Sequence, residues 1–384
     1  MHINGRITAL TASLVLAGSL GTAAGAAQAA ALKDASGIGL AVGSGKAHGY
    51  VLKDNDLAAK ANKSSLWDKT PSGYVFHSCD YTVPNGSNVN SVTGVITLPN
   101  GKTENAKKCD YPRITDDQTA PPTGGPSSQQ QATPNSLPAV TPANALAESA
   151  KTGKPPAASA SGWFQWFGNN NSGNRPFTYW YSKIATPAAP SVTSSGLSNF
   201  TWGGLGSHDN TTLLQPIVGW GPISVGKPLN TQDAGSGNHL WMAPYYFWSG
   251  NAVATTAFTI NYQDPIEVDV EATSCNSVGG SCTYRLDSTD DTTGQTLGMT
   301  VNTGATFTTV YGGVYEKWNI NGCDETFGNG HIAFRQQVID SFVSSSNMYA
   351  PTNPEYGWFT VDQECGMLIE NYLSGTGGDI IWTP

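Results

Sequence analysis

From Gly162 onward the apolar residues of this chain come in short bursts, and none outlasts a strand before a Gly, Asn or Asp interrupts it. Tyr245–Trp248, Ala254–Ile260, Ile266–Ala272, Thr306–Tyr311, Tyr315–Ile320, Ile332–Ile339 and Asp379–Trp382 are all rich in aromatic or β-branched residues. Runs of this length and content, punctuated by turn residues, read as β-strands. Only Ile332–Phe342 is long enough to be read as a helix instead. Charged residues make up 12% of the chain, about half the usual share, so there are too few to furnish the wet faces of a helix bundle. The expectation is an all-β domain over 162–384: a two-sheet antiparallel β-sandwich of the jelly-roll kind.

The residues before it divide in three. Arg6, the apolar segment Ile7–Leu20 and the small residues through Ala27-Gln28-Ala29-Ala30 have the layout of a secretory signal peptide, so 1–30 is expected to be removed on export. Residues 31–113 carry alternating segments such as Gly73-Tyr74-Val75-Phe76-His77 and Val92–Leu98 between Pro-Asn-Gly turns, which predicts a small β unit. Residues 114–161 are rich in Pro, Ala, Ser, Thr and Gln and nearly free of aromatics. They cannot repay the entropy of folding, and are expected to form a disordered linker.

No later run approaches the ~18–20 apolar residues of a membrane span. Six cysteines in an exported chain predict disulfides, and proximity and domain membership favour Cys79–Cys109, Cys275–Cys282 and Cys323–Cys365 among the possible pairings. Charge is uneven: 31–113 holds ten Lys/Arg against seven Asp/Glu, a net +3, and 162–384 holds six against eighteen, a net −12. The two parts attract near neutral pH, and the acidic part would repel nucleic acid.

Several chemistries have no signature here. The chain lacks a Gly-x-Ser-x-Gly elbow, a His-Glu-x-x-His pair, a P-loop and a Rossmann glycine pattern, and its histidines are scattered singly. Asp287-Ser288-Thr289-Asp290-Asp291 lacks the ligand spacing of a calcium loop and reads as an exposed turn. No metal and no cofactor is expected.

Two constellations remain. In Glu267-Val268-Asp269-Val270-Glu271, strand alternation puts three carboxylates on one face. The pattern resembles the Glu-x-Asp-x-Glu signature of laminarinase-like β-glucanases, which implies Glu267 as nucleophile and Glu271 as general acid. Residues i and i+4 of a strand are roughly 13 Å apart at Cα, and side chains leaning together approach the ~5–5.5 Å of a retaining pair. The same pattern also arises from a solvated strand face.

The second constellation starts at Gln215, one amide inside the apolar run Leu213–Gly221, where a buried side chain of this kind needs partners. Leu214-Gln215, Trp241 with Tyr245-Tyr246-Phe247-Trp248, Ile266–Ser274, and Glu316-x-Trp318 together resemble the glutamic peptidases of the eqolisin type and their secreted concanavalin A-like relatives. That resemblance implies a concanavalin A-like sandwich with Glu316 as the general base on a water, Gln215 as its orienting group and oxyanion donor, and Trp202 and Trp220 lining the cleft. It implies a polypeptide substrate, acid-side action, and a structural role for the strand Ile266–Ser274. Pro216 departs from the family's small residue at that position, and Lys317 follows Glu316. Proline biases Gln215 towards an extended backbone and removes an N–H. Under this reading 31–113 is either a prosegment, held by charge at neutral pH and released as carboxylates protonate, or an ordinary accessory β-module. The alternatives are a non-catalytic glycan-binding module, with aromatic rings stacking on a polysaccharide, and the β-glucanase using Glu267 and Glu271.

Overall fold

The computed structural model of the protein describes residues 36–44, 50–106, 108–115, 161–170, 175–194, 196–222, 227–228, 237–276, 280–320, 322–352, 356–360, 364–366, 368–370 and 377–382. The expected signal peptide and nearly all of the expected linker lie outside them. Eight short strands precede residue 116: β1 (Val51–Lys53), β2 (Trp67–Thr70), β3 (Gly73–Phe76), β4 (Asp80–Val83), β5 (Ser87–Asn90), β6 (Val95–Thr97), β7 (Thr103–Asn105) and β8 (Arg113–Thr115). A seven-residue helix, Asn55–Ala61, follows β1, its first turn capped by the Asp54 side chain accepting from the Leu57 N–H at 2.9 Å.

Longer strands follow: β9 (Ser161–Asn170), β10 (Phe177–Ala185), β11 (Ser198–Ser207), β12 (Leu213–Gly221), β13 (Lys227–Pro228), β14 (Gly237–Trp248), β15 (Asn251–Thr255), β16 (Phe258–Thr259) and β17 (Pro265–Cys275). The rest are β18 (Cys282–Asp290), β19 (Gln295–Thr303), β20 (Phe307–Trp318), β21 (His331–Ser341), β22 (Ala350–Pro351), β23 (Gly357–Thr360), β24 (Leu368–Glu370) and β25 (Gly378–Ile381). The segment that admitted a helix, Ile332–Phe342, is strand nearly throughout, as β21.

Two large sheets face each other. One runs β13-β4-β15-β14-β12-β11-β20-β9-β23, and the other β24-β25-β21-β10-β17-β18-β19-β5-β6-β7. Alternation decides what lies between them: Leu214, Val218, Trp220, Met242 and Tyr315 of the first sheet share one core with Ile266, Val268, Val270, Tyr284 and Met299 of the second. The expected sandwich is therefore present. Its strands pair mainly antiparallel, with parallel pairs where N-terminal strands join: β4 on β15 and on β13, and β5 on β19.

Those parallel pairs divide the 31–113 unit of the sequence reading. Strands β4 to β7 belong to the sandwich, and Tyr81, Val83, Val89, Ile96, Leu98 and Ala106 sit in its inner core. Only β1, β8, β3 and β2 form a sheet of their own. That four-stranded sheet lies on the outer face of the first large sheet, and the two share a second core. Trp67, Tyr74, Val75, Tyr111 and Ile114 from the small sheet and its neighbouring loops meet Phe200, Trp202, Ile217, Tyr245, Tyr311, Val314 and Trp318 there. Disulfides join Cys79 to Cys109, Cys275 to Cys282 and Cys323 to Cys365. The first closes the neck between the small sheet and the sandwich.

Candidate active site

Gln215 and Glu316 come from β12 and β20, the two strands that flank β11. Period two fixes their direction. Gln215 shares a strand face with Leu213 and Ile217, and Glu316 with Val314 and Trp318, and all four apolar neighbours belong to the outer core. Both polar side chains are fully buried, which in a single face of one sheet requires something to cover them.

The cover is the hairpin of β2 and β3. Its two-residue turn, Pro71-Ser72, has Ser72 at φ 71°. Proline followed by a left-handed residue is the layout of a type II turn, where Gly or Asn is usual. Ser72 tolerates that backbone while making two bonds. Its N–H donates to Glu316 Oε1 at 2.6 Å, and its Oγ accepts from Gln215 Nε2 at 2.7 Å. The amide and the carboxylate thus face each other across a single residue.

The carboxylate has further donors. Trp318 Nε1 donates to Oε1 at 2.9 Å, and Trp202 Nε1 to Oε2 at 3.4 Å. Burial pushes the Glu316 carboxyl up from 4.5 to about 7; the Ser72, Trp318 and Trp202 bonds and the Arg113 charge pull the other way without cancelling it. Arg113, on β8 of the small sheet, is itself buried over the Phe247 ring, with its centre 4.9 Å from the ring centroid, and donates to the Asn210 carbonyl at 2.5 Å. Its Nε and Nη1, and Oε1 of Gln215, have no hydrogen-bond partner among the described residues.

Aromatic rings wall the pair. Trp163 packs edge-on against Trp202 at 4.9 Å, and Tyr311 packs against both at 5.3 Å. From the cover, Tyr74 meets Trp318 at 4.8 Å, and Lys69 Nζ donates to the Gly196 carbonyl at 2.6 Å and to Ser198 Oγ at 3.2 Å.

The structure separates the other sequence candidates. Trp202 lines the site, but Trp220 does not. Trp220 is an odd number of positions along the strand from Gln215, so it faces the other way, and its ring lies in the inner core between the large sheets. Pro216 stands opposite Pro244 on β14 within an unbroken register from Leu213 to Trp220, and Gln215 keeps its outward direction with Leu213 and Ile217.

Glu267, Asp269 and Glu271 project from β17 on the face opposite Ile266, Val268 and Val270, the outer side of the second sheet. Glu267 accepts from Tyr181 and pairs with Lys183 at 2.9 Å, and Glu271 pairs with Arg285 at 2.8 Å. Neither is near the Gln215 face. In the Asp287–Asp291 stretch, Asp290 caps its own turn through Thr292 and Thr293, while Asp287 and Asp291 bind Arg285 and Lys183. Among the described residues no group of three or more His, Cys, Asp or Glu is placed to hold a metal ion.

Trp318 was legible as a site residue, because it lies two positions after Glu316 on the same strand face. Ser72 and Arg113 were not, being 244 and 203 residues away from Glu316 in the chain.

No protein-family model and no curated protein matches this sequence. Among solved structures, the chain is similar to scytalido-glutamic peptidase bound to a peptide-based transition-state analogue, at 17% identity and a TM-score of 0.35, covering 59% of this chain and 100% of that one. SCP-B, a member of the eqolisin family of peptidases in complex with the tripeptide Ala-Ile-His, matches over 59% of this chain and 100% of its own at 16% identity and a TM-score of 0.31. Aspergilloglutamic peptidase from Aspergillus niger matches over 49% of this chain and 99% of its own at 18% identity and a TM-score of 0.27. Likeness at this level does not establish an activity, which has to come from the chemistry of the site.

Proposed function

We propose that this chain is a secreted, acid-acting endopeptidase of glutamic type, with Glu316 and Gln215 as its catalytic pair, and that the four-stranded sheet holds it in a closed state. The observation that carries the reading is Ser72: one residue satisfies the carboxylate with an N–H and the amide with an oxygen. A pair that can clasp a serine in this way is spaced to clasp a water and a carbonyl oxygen. With the hairpin withdrawn, the Glu316 carboxylate takes a proton from a water as that water attacks the scissile carbonyl carbon. Gln215 Nε2 donates to the oxyanion that forms, and the protonated Glu316 then gives its proton to the departing amine nitrogen. Trp202 and Trp318 hold the carboxylate by their indole N–H groups. Water entering the opened site lowers the Glu316 pKa again, which keeps it a base on the acid side of neutrality.

Export, removal of 1–30 and a polypeptide substrate belong to this same reading. Disulfides fit an oxidising compartment, and no helix among the described residues is long and apolar enough to cross a membrane.

The test uses a Ser72→Arg chain, whose hairpin tip carries a side chain too large and charged to seat against the pair. This chain should degrade a denatured protein at pH 3–5. Adding Glu316→Gln should abolish cleavage, and adding Gln215→Ala should lower kcat by about 10²–10³, the usual loss of one oxyanion donor. Cleavage that persists in the Ser72→Arg, Glu316→Gln chain would remove Glu316 from the mechanism and with it the reading.

A further inference from the structure

We propose that the β1-β8-β3-β2 sheet is a permanent hinged cover that closes the Gln215/Glu316 site with the Ser72 tip, and not a prosegment that departs. The inference rests on the proposed function only where activity is its readout.

Three independent features of the chain converge on it. The first is the tip. Ser72 is almost fully buried at a left-handed φ of 71°, a conformation unfavourable for a residue with a Cβ. Thr70 Oγ1 donates to the Gly73 carbonyl at 2.7 Å and fastens the turn from within. Glycine would suit the backbone better, but glycine has no hydroxyl to accept from Gln215. The backbone cost and the two bonds to the site residues belong together. The groups presented are also the wrong ones for cleavage: an amide N–H faces the base, and a hydroxyl takes the place of a peptide carbonyl oxygen at the amide. The tip fills the site without offering a bond to cut.

The second feature is connectivity. Between the two parts of the cover, residues 50–79 and 108–115, the chain runs through β4, β5, β6 and β7, which are strands of the sandwich. A propeptide that leaves must be peripheral to the fold it leaves. Here departure would strip β4 from β15 and β5 from β19, and remove Tyr81, Val83, Val89, Ile96, Leu98 and Ala106 from the inner core. A cut in the 116–160 segment, where a prosegment would be severed, therefore frees nothing.

The third is the neck. The Cys79–Cys109 bridge ties the chain leaving the cover to the chain re-entering it, just before β4 and just before β8. The cover can swing about this point as one body. Motion there would withdraw Ser72, Lys69 and Tyr74 from Gln215, Glu316, Gly196 and Trp318 without unpairing the sandwich strands.

The experiment places a specific protease site at Gln129-Gln130-Gln131 in the full chain and cuts it with the disulfides intact. The two pieces should co-elute on size exclusion in native buffer, and activity on denatured protein at pH 3–5 should change by less than about twofold. In parallel, amide exchange over residues 67–76 should rise at least tenfold in Ser72→Arg and a few-fold in Ser72→Ala, a milder change that removes only the bond to Gln215. Activity should rise with it. Separation of the N-terminal piece from a sandwich that stays folded would overturn the proposal, as would exchange over 67–76 that both Ser72 variants leave unchanged. If the pieces stay together and the hairpin opens but no protein is cleaved, the cover stands and the peptidase reading falls.

Discussion

Replacing Glu316 with Gln should make the closed protein more stable at neutral pH and leave it nearly unchanged in acid. In the folded chain burial raises the Glu316 carboxyl from 4.5 to about 7. A carboxyl raised in this way favours the closed fold fully below pH 4.5, and that contribution is lost as pH rises through 7, because the buried site must then hold a charge. One pKa unit corresponds to about 1.4 kcal/mol, so the displacement is worth about 3 kcal/mol. Glutamine is never charged, and its oxygen can still accept from Ser72 and Trp318. The assay is equilibrium urea unfolding of both chains, disulfides intact, at pH 4, 6 and 8. The difference, variant minus wild type, should be within about 1 kcal/mol at pH 4 and grow to about 3 kcal/mol in favour of the variant at pH 8. Taking the difference cancels the other titrations of the fold. Arg113, lowered to about 10 by burial, remains charged throughout the window. A difference that stays flat from pH 4 to 8 would refute the claim that the cover seals this carboxyl from water.

The remaining perturbations address the frame of the site. Gly204→Ala should cost more than about 2 kcal/mol in the same unfolding assay, because residue 204 sits at φ 147° and a Cβ there would come 2.0 Å from the Leu214 carbonyl, beside Gln215. Trp202→Phe removes the N–H on Glu316 Oε2, so in the Ser72→Arg background the acid limb of the pH–rate profile should move upward by less than about one pH unit, as befits a 3.4 Å bond. Glu267→Gln breaks a surface ion pair with Lys183 and should leave the unfolding midpoint nearly unchanged. It should leave protein cleavage unchanged, while loss of a β-glucan-hydrolysing activity in that variant would restore the glucanase reading.

How much of this was legible in the sequence depends on the range of the signal. Period two is local, so the strands could be read directly, and it also places Gln215 with Leu213 and Ile217, and Glu316 with Trp318, on the faces the structure shows. The same rule puts Trp220 on the face away from Gln215. Its assignment to the cleft came with the family resemblance and not from register. Parallel pairing leaves no such trace, because its partners lie far apart and no hairpin turn announces them. This is why β4 and β5 looked like parts of a separate unit when they pair in parallel with β15 and β19 within the large sheets. Ser72 is more distant still: Pro71-Ser72-Gly73 spells a turn, and nothing local says what the turn will touch. Net charge misleads for a related reason. The +3 and −12 of the two parts suggested a cover that acid releases, yet the ionisable groups the cover buries act in the opposite sense. Glu316 is raised by burial. Asp68 of β2 and Asp80 of β4 are raised too, each first by burial and Asp80 further by the charge of Asp68, while His77 pairs with Asp68. All three groups hold the cover more firmly as pH falls, so if acid opens this site it must do so against them, through charges elsewhere on the two surfaces or through a partner that displaces the hairpin.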